Sequence, residues 1–356
     1  MPKKLVKGCN AIAEAAILGG CRFFAGYPIT PQSEIPEYLA EHLPEVGGTF
    51  IQGESEVASI NMVYGAAACG VRAMTSSSGP GISLKAEGIS YLAGAMLPAV
   101  IVDVTRGGPG LGCIQPAQQD YLQATKALGH GGFRTMVFAP HTVQEAVDLM
   151  YDTFEYAERD RNPVVLLLDG CLASVMEEVE FPAAKELPAK HPEWAVGNFD
   201  GTPRARRTVS SLAGKEAMEQ RNIRSGELFD SWEKNDVRVE KYMLEDAEYV
   251  IVAYGMSARV CKYAIQQLRA EGIKIGMIRP ITLVPFPKAA LDELDYNQVK
   301  AIIDVEMSLP AQMRDDIALQ VKDRVPILTY GRSGGVTLMN EETTEALKNM
   351  IGGMNK

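Results

Sequence analysis

The sequence lacks closely spaced cysteines. Its cysteines lie at least twelve residues apart, at Cys9, Cys21, Cys69, Cys113, Cys171 and Cys261. These spacings exclude a CxxC zinc or redox motif and the cysteine run that binds an iron–sulfur cluster. A disulfide framework is not expected in so large a chain with so few cysteines, which fits a reducing compartment. The chain is therefore predicted to be cytoplasmic and to hold no cluster of its own.

Long apolar runs and an excess of positive charge are also absent. The most apolar window, residues 92–102, contains Pro98 and is far shorter than the ~20 residues that a membrane helix needs. Lys3 and Lys4 resemble the start of an export signal, but Glu14 and other polar residues interrupt the apolar stretch that would follow. The net charge is −10 and the pI is near 5.1. Export, membrane association and nucleic-acid binding are therefore not expected.

What the sequence does contain is a regular alternation of apolar runs and helical patterns. The chain has 356 residues, 46% of them hydrophobic, and can form two or three domains with substantial cores. Strands are predicted at residues 22–25, 49–52, 72–76, 99–104, 134–139 and 164–169, and again at 249–254, 274–278, 300–305 and 326–330. This alternation predicts an α/β fold in which helices cover both faces of a parallel sheet.

The composition divides the chain into three parts. Residues 1–175 carry the first set of strands, and residues 246–356 carry a second, smaller set. Between them, residues 176–245 are rich first in proline and then in charge. This composition is typical of an irregular connector with helical portions, so two α/β domains joined by a long connector are predicted.

Helix starts are marked by residues that satisfy free backbone N–H groups. Thr142 with Glu145 forms a capping-box pattern, and Ser257 is a candidate N-cap in the second domain. Thr30 followed by Pro31 predicts another helix start. A helix N-terminus with a hydroxyl group attracts carboxylates, so this start is a candidate anion site. An ordinary turn with its cap is the alternative.

Ligands of an open parallel sheet bind beyond the carboxyl ends of its strands, so the loops there are the candidate site. Glu54 and Glu56 follow the second strand, where acids ordinarily complement a helix dipole and one of them could serve a ligand instead. Residues 75–81 form a turn of small residues that a ligand can approach closely. Arg106 begins a glycine-rich loop whose spacing matches neither GxGxxG nor a P-loop.

Several segments together resemble one known family. They are GCNAIAE (8–14), GYPITP (26–31), ESE (54–56), SGPG (78–81), RGGP (106–109) and QD (119–120). In this order and at comparable spacing they resemble the α subunit of 2-oxoacid:ferredoxin oxidoreductases, and the similarity spans nearly the whole chain. The segments GLG (110–112) and IQPAQ (114–118) are most similar to the branched-chain, 2-oxoisovalerate type.

The resemblance implies oxidative decarboxylation of a 2-oxoacid by thiamine diphosphate, with coenzyme A as acyl acceptor and iron–sulfur clusters that reduce ferredoxin. It implies a domain that binds the pyrimidine of the cofactor, followed by a domain like the C-terminal domain of transketolase. The chain has no GDG followed by a paired NN, the signature that holds the diphosphate through a metal ion. A β subunit is therefore expected to supply the diphosphate site, its Mg²⁺ and a cluster, alongside a γ subunit and a ferredoxin-like δ subunit.

The resemblance also implies roles for single residues. Glu56 is expected to be the catalytic residue that hydrogen-bonds N1′ of the aminopyrimidine and so promotes removal of the C2 proton, with Glu54 as the rival. Thr30 and Arg106 are expected to bind the carboxylate of the 2-oxoacid. For Arg106 the alternative is an ion pair that holds the glycine loop. Further cofactor contacts are expected from Pro28, Ile29, Ser78 and Gly79. The chain itself is expected to provide no metal site.

Two segments stand apart from these assignments. Residues 306–313 stand where the family more often has an acidic residue followed shortly by Gly-Gln. Ala311 replaces the glycine and Pro310 precedes it, which leaves the local turn and any subunit contact open. A basic cluster could meet the phosphates of coenzyme A, although a solvated linker or a salt-bridge site between subunits is the favoured interpretation. This cluster consists of Arg204, Arg206, Arg207 and Lys215.

Two other functions are compatible with the sequence. The same chemistry could act on 2-oxoglutarate or another 2-oxoacid, because specificity depends on the shape of the pocket. The chain could also be a non-catalytic structural subunit that keeps the fold without turnover. The joint presence of Thr30, Glu56 and Arg106 argues against a purely structural role.

Overall fold

The computed structural model describes residues 3–187, 192–197 and 209–354. The strands are β1 Lys4–Lys7, β2 Phe23–Gly26, β3 Thr49–Gln52, β4 Ala73–Ser77, β5 Ala99–Gly107, β6 Cys113–Pro116, β7 Met136–Phe138, β8 Pro163–Asp169, β9 Met176–Val179, β10 Val239–Tyr242, β11 Tyr249–Val252, β12 Ile275–Pro280, β13 Thr282–Val284, β14 Ala301–Glu306 and β15 Ile327–Gly331. The helices are α1 Gly8–Leu18, α2 Glu34–His42, α3 Glu56–Ala68, α4 Pro80–Gly94, α5 Tyr121–Lys126, α6 Val143–Asp160, α7 Gly170–Ser174, α8 Lys215–Asn235, α9 Gly255–Ala270, α10 Lys288–Asp292, α11 Arg314–Val321 and α12 Asn340–Met354, with a short 3-10 helix at Pro44–Val46.

The larger sheet has the strand order β13-β7-β8-β5-β4-β2-β3, with β6 paired to β5. The strands from β7 to β3 along this order are parallel, whereas β13 and β6 are antiparallel to their neighbours. All the strands expected before residue 170 are present, and the largest difference is that β5 continues to Gly107. Parallel pairing brings the carboxyl ends of β2, β3, β4 and β5 to one edge, where their loops meet.

The second sheet has the order β10-β12-β11-β14-β15, and only β10 among these strands is antiparallel to its neighbour. β13 follows β12 in the chain but pairs with β7 of the larger sheet, so that Thr282 lies opposite Phe138. The sequence did not predict β10 or β13, because both are short and pair with residues far away in the chain. One strand of the second domain therefore extends the sheet of the first.

Apolar side chains bury both faces of the larger sheet. On one face, α1 and α6 contribute Ile12, Val147 and Phe154 to a single cluster. On the other face, side chains of α3 and α4 form a cluster that continues into the second domain through Val250 and Ile302. The hydrophobic core therefore crosses the boundary between the domains, which fixes one domain against the other.

Of the predicted helix starts, the one at α6 is observed and the one at α9 is not. Thr142 Oγ1 accepts the N–H of Glu145 at 3.1 Å, and Glu145 Oε2 accepts the N–H of His141 at 2.9 Å, so α6 begins as predicted. The prediction that Ser257 caps α9 is wrong, because the helix begins earlier, at Gly255. The Ser257 hydroxyl instead donates to Gln118 Oε1 at 2.6 Å, a contact between the domains.

Gln118 is buried at this junction and bonds to several groups of the second domain. Its N–H donates to Met307 O at 2.9 Å, and its Oε1 accepts the N–H of Met307 at 2.9 Å. Its Nε2 donates to Tyr254 O at 3.0 Å. Asp169 forms a further hydrogen bond between the domains, because its Oδ2 accepts the N–H of Met256 at 2.8 Å.

The described parts of the connector pack against the first domain, except β10, which pairs with β12 of the second sheet. β9 pairs with β1, and Trp232 of α8 donates through Nε1 to Asp160 Oδ2 at 2.8 Å. Arg204, Arg206 and Arg207 lie outside the described residues. Among the helices that are described, none has the length and apolar character needed to cross a lipid bilayer.

Candidate active site

The loops after β4 and β5 face a loop of the second domain across a cleft of about 550 Å³. The cleft is lined by Gly79, Pro80, Ser83, Arg106, Gly107, Gly108, Pro109, Gly110, Gln119, Asp120, Gln123, Leu309, Pro310 and Gln312. It lies beyond the carboxyl ends of parallel strands, where ligands of this architecture bind. Two residues expected in the site, Gly79 and Arg106, share this cavity.

Arg106 is 5% exposed and ties together two loops of the first domain. Its Nη1 donates to Thr30 O at 2.9 Å and its Nη2 donates to Leu111 O at 2.8 Å. Its Nε is buried without a hydrogen-bond partner among the described residues. The guanidinium thus holds the glycine loop through a backbone carbonyl, and its Nε–H is one of the donors that remain for a ligand.

The segment that carries Thr30 is a turn and not a helix start. The prediction of a helix beginning at Thr30 and Pro31 is wrong, because α2 begins at Glu34. Gln32 between them is buried, and its amide accepts a hydrogen bond from Ser76 of β4, which holds the segment to the sheet. Thr30 itself is exposed, and the structure joins it to Arg106 through its carbonyl oxygen.

The two acids after β3 lie in different environments. Glu54 is exposed, whereas Glu56 is 6% exposed at the first position of α3. Ser55 caps this helix, its Oγ accepting the N–H of Ala58 at 3.1 Å. A first side-chain carbon at Gly81 would lie 2.8 Å from Glu56 Oε1, so the carboxyl group rests against the first turn of α4.

The turn between β4 and α4 contains unpartnered buried groups. The hydroxyls of Ser77 and Ser78 are buried without hydrogen-bond partners among the described residues. Gly79 has φ of +42°, a conformation that favours glycine, and its N–H donates to Asp120 Oδ2 at 3.2 Å. A turn with free hydroxyls and no side chain at its centre can accept a ligand at close range.

Pro28 and Ile29 lie outside the cleft lining, in the loop after β2.

Two buried carboxyl groups lie beside this turn. Asp103 of β5 is buried with both oxygens unpartnered within the described part of the chain. Burial, and secondarily the nearby charge of Asp120, raise the pKa of Asp103 well above its usual range. Burial likewise raises the pKa of Asp120, against the N–H of Gly79 and the charge of Arg106, which lower it. The sequence analysis used Asp120 only as part of a motif and missed Asp103, which follows an apolar run.

The second domain supplies the opposite wall of the cleft through residues 306–313. Glu306 Oε1 accepts the N–H groups of Gln312 and Met313 at 2.8 and 2.9 Å, which closes the turn without the glycine. Gln312 Nε2 donates to Gln119 O at 2.8 Å, and its Oε1 accepts the N–H of Leu122 at 2.9 Å. The segment that departs from the family pattern therefore borders the candidate site directly.

The comparison with known protein families assigns both domains. Residues 14–241 match the family described as "Pyruvate flavodoxin/ferredoxin oxidoreductase, thiamine diP-bdg". Residues 247–343 match "Pyruvate:ferredoxin oxidoreductase core domain II". The chain therefore belongs to the 2-oxoacid:ferredoxin oxidoreductase family and is a subunit of an oxidoreductase. The predicted α/β class with a thiamine diphosphate domain is confirmed.

Similar proteins match the chain along its whole length. It is 46% identical over 360 residues to the ketoisovalerate oxidoreductase subunit VorB of Methanothermobacter marburgensis, covering 100% of both chains. It is 33% identical over 372 residues to the 2-oxoglutarate synthase subunit KorA of Methanocaldococcus jannaschii, covering 98% of this chain and 100% of the relative. Among solved structures, a 2-oxoglutarate:ferredoxin oxidoreductase from Magnetococcus marinus superposes with a TM-score of 0.82 at 27% identity, covering 98% of this chain and 65% of that chain.

A second carboxyl pair, Asp304 and Glu306, lies on one face of β14 and predicts a pH dependence of stability. Burial raises the pKa of both groups, so the folded protein holds a proton that the unfolded chain releases above pH ~4. Stability is therefore lost as the pH rises, by about 1.4 kcal/mol per pH unit for each extra bound proton. We expect the free energy of unfolding in urea to fall less steeply from pH 6 to pH 8 in Asp304→Asn.

Asp315→Asn is the matched control, because Asp315 is exposed. Its unfolding free energy should follow the wild type at each pH. An Asp304→Asn protein with the same pH slope as the wild type would contradict the raised pKa of Asp304 in the folded protein.

Proposed function

We propose that the chain provides the pyrimidine side of the active site in a branched-chain 2-oxoacid:ferredoxin oxidoreductase. The reaction is oxidative decarboxylation of 2-oxoisovalerate with coenzyme A, which gives acyl-CoA, CO₂ and two electrons for ferredoxin. The observation that carries the proposal is the buried carboxyl of Glu56 against the first turn of α4, beside the cleft that Arg106 lines. The similarity to a ketoisovalerate oxidoreductase subunit over the whole chain supports it.

The residues present fit one half of thiamine diphosphate. A buried carboxylate suits a ring nitrogen that shares a proton, and the free hydroxyls of Ser77 and Ser78 suit a polar heterocycle. When bound, the cofactor supplies the nucleophilic carbon that adds to the 2-oxo group and holds the electrons left by CO₂. Glu56 would hold a proton at N1′ of its pyrimidine, with Gly79 and Ser78 beside it. Pro28 and Ile29 would complete the contacts from the loop after β2.

The substrate carboxylate is assigned to Arg106 and Thr30. The buried Nε of Arg106 has no partner in the described chain, and an N–H of a guanidinium is a strong donor to a carboxylate. Thr30 lies within reach of Arg106, since its carbonyl accepts from Nη1 at 2.9 Å. Its exposed hydroxyl would provide the second donor. Two directed donors would orient the 2-oxo group for the reaction.

The chemistry of the cleft favours a branched-chain acid over 2-oxoglutarate. Arg106 is the single basic side chain among the described residues that line it. A second carboxylate, as in 2-oxoglutarate, would require another cation, because an unpaired buried charge is costly. The remaining lining includes apolar groups that suit an isopropyl side chain, namely Pro80, Pro109, Leu309 and Pro310.

Partner subunits would complete the enzyme. The sequence lacks the GDG…NN signature, so a β subunit is assigned the diphosphate, its Mg²⁺ and an iron–sulfur cluster. The six cysteines are unpaired and are spaced too widely to bind a cluster together in one motif. A γ subunit and a ferredoxin-like δ subunit, which passes electrons to ferredoxin, would complete the assembly in the cytoplasm.

The substrate class can be tested with the assembled enzyme. We expect kcat/KM for 2-oxoisovalerate to exceed that for 2-oxoglutarate by about tenfold or more, because the cleft offers apolar contacts and no second cation. The measurement is coenzyme A-dependent ferredoxin reduction with each acid. Equal or faster turnover of 2-oxoglutarate would refute the branched-chain assignment. Full activity of a triple variant at Thr30, Glu56 and Arg106 would instead show a structural subunit.

Glu56 and Glu54 form a matched pair for testing the catalytic role. Glu56→Gln should lower turnover by about 10²–10⁴-fold, because an amide cannot share a proton with N1′ as a carboxyl group does. Exchange of the C2 proton of bound cofactor, followed by NMR, should slow in parallel. Glu54→Gln should leave both unchanged, since Glu54 is exposed. The reverse result would move the role to Glu54.

Arg106 and Thr30 are tested by their effect on substrate use. Arg106→Ala should lower kcat/KM about tenfold to more than a hundredfold, the usual effect of losing a charge-assisted bond. Thr30→Val should lose less, because Val retains the carbonyl that Arg106 contacts. Neither change should abolish C2 proton exchange. If Arg106→Ala turned over every 2-oxoacid normally, or stopped exchange as Glu56→Gln does, its role would be confined to holding the loops.

A further inference from the structure

Lys85 of α4 is a charged residue inside the first domain that the proposed mechanism does not use. Its side chain is fully buried, and its Nζ donates to Thr75 Oγ1 at 2.9 Å. The Thr75 hydroxyl is neutral and in turn donates to Ala25 O at 2.7 Å. Burying an ammonium group is strongly unfavourable unless a negative charge compensates it. The position of Lys85 therefore requires a nearby anion.

The packing of α3 against α4 places Glu56 next to Lys85. Gly81, Lys85 and Gly88 lie four and three residues apart and share one face of α4. A first side-chain carbon at Gly81 would lie 2.8 Å from Glu56 Oε1, and one at Gly88 would lie 2.5 Å from Ile60 Cγ2. Glu56 and Ile60 are likewise one turn apart on α3. Lys85 therefore lies between these two approaches of α4 to α3, one turn beyond the contact with Glu56.

The contacts of α4 with β4 also place Lys85 close to Glu56. A side chain at Gly81 would also meet Ser77 Oγ, and Lys85 bonds to Thr75, two residues earlier on the same face of β4. Burial lowers the pKa of Lys85 to about 8, and the charge of Glu56 acts against this effect. The amine is therefore largely protonated at neutral pH. Glu56 is the carboxylate whose charge favours this form, and it acts across more than the 4.0 Å of a direct ion pair.

We propose that Lys85 is a positioning residue for the reaction, a buried counter-charge that keeps the Glu56 carboxylate ionised and held toward the pyrimidine site. This inference rests on the proposed role of Glu56. A nearby positive charge lowers the proton affinity of the Glu56 carboxylate, so a proton shared between Glu56 and N1′ would lie closer to the ring nitrogen. Lys85 does not line the cleft, so its effect on the reaction would be transmitted through Glu56.

The test compares Lys85→Met with Thr75→Val in the assembled enzyme. Lys85→Met removes the charge, whereas Thr75→Val removes only the hydroxyl to which Lys85 donates. The titration of Glu56 is followed in cofactor-free enzyme by its infrared carboxylate band, isolated by subtracting the spectrum of Glu56→Gln. We expect Lys85→Met to move the midpoint up by about one pH unit or more, a tenfold rise in proton affinity, and Thr75→Val to leave it in place.

Turnover provides the second measurement. Lys85→Met should slow turnover by about tenfold in the wild-type background and have no further effect in the Glu56→Gln background, since coupled residues are non-additive. If Lys85→Met does not assemble, Lys85→Gln replaces it, because it is neutral and keeps a donor for Thr75. The other charged groups near the start of α4 are unchanged in every variant; these are Glu54, Asp103, Arg106 and Asp120.

The outcomes separate this inference from the proposed function. If Thr75→Val reproduces Lys85→Met, or if the midpoint does not move in Lys85→Met, Lys85 has only a packing role and the inference is overturned. An inactive Glu56→Gln enzyme would still support the proposed function in that case. If Glu56→Gln is itself fully active, the proposed function fails first, and the infrared titration still decides whether Lys85 supports the charge of Glu56.

Discussion

The two walls of the cleft are held together by the buried amide of Gln118. Gln118 bonds the backbone of Met307 twice and also binds Tyr254 and Ser257, so two segments of the second domain converge on one residue. Leaving any of these buried groups unpaired would cost about 1–3 kcal/mol. Asp120 lies two residues after Gln118, and the wall at residues 309–312 begins two residues after Met307. The width of the cleft is therefore set at this junction.

The sequence predicts the strands of the sheet well because each is a short apolar run between turn signals. It predicts Thr142 as a cap because that signal is local. The helix start at Thr30 failed because burial of Gln32 against Ser76, a contact across 44 residues, holds the segment as a turn. β13 was missed for the same kind of reason, since its partner β7 lies in the other domain.

Some residues of the candidate site could likewise be predicted from local sequence, whereas others depend on contacts between distant parts of the chain. Glu56 and Arg106 were identified by motifs, and the burial that distinguishes Glu56 from Glu54 became visible only in the fold. Asp103 and Lys85 carry no motif, because their importance comes from helices and strands that meet over long sequence distances. Buried groups with shifted pKa values are costly to a fold, and they concentrate where function requires them.

In Arg106, a structural role and the proposed binding role can reside in one side chain. Its two terminal nitrogens are engaged with the carbonyls of Thr30 and Leu111, so the guanidinium is fixed before any ligand arrives. A fixed donor loses little conformational entropy on binding, which is the benefit of preorganisation. The same bonds hold the loop that presents the Thr30 hydroxyl. Arg106 can therefore hold the loops and still bind the substrate carboxylate as proposed. By holding the loops, it positions both its own N–H and the Thr30 hydroxyl, the two donors that carboxylate binding would require.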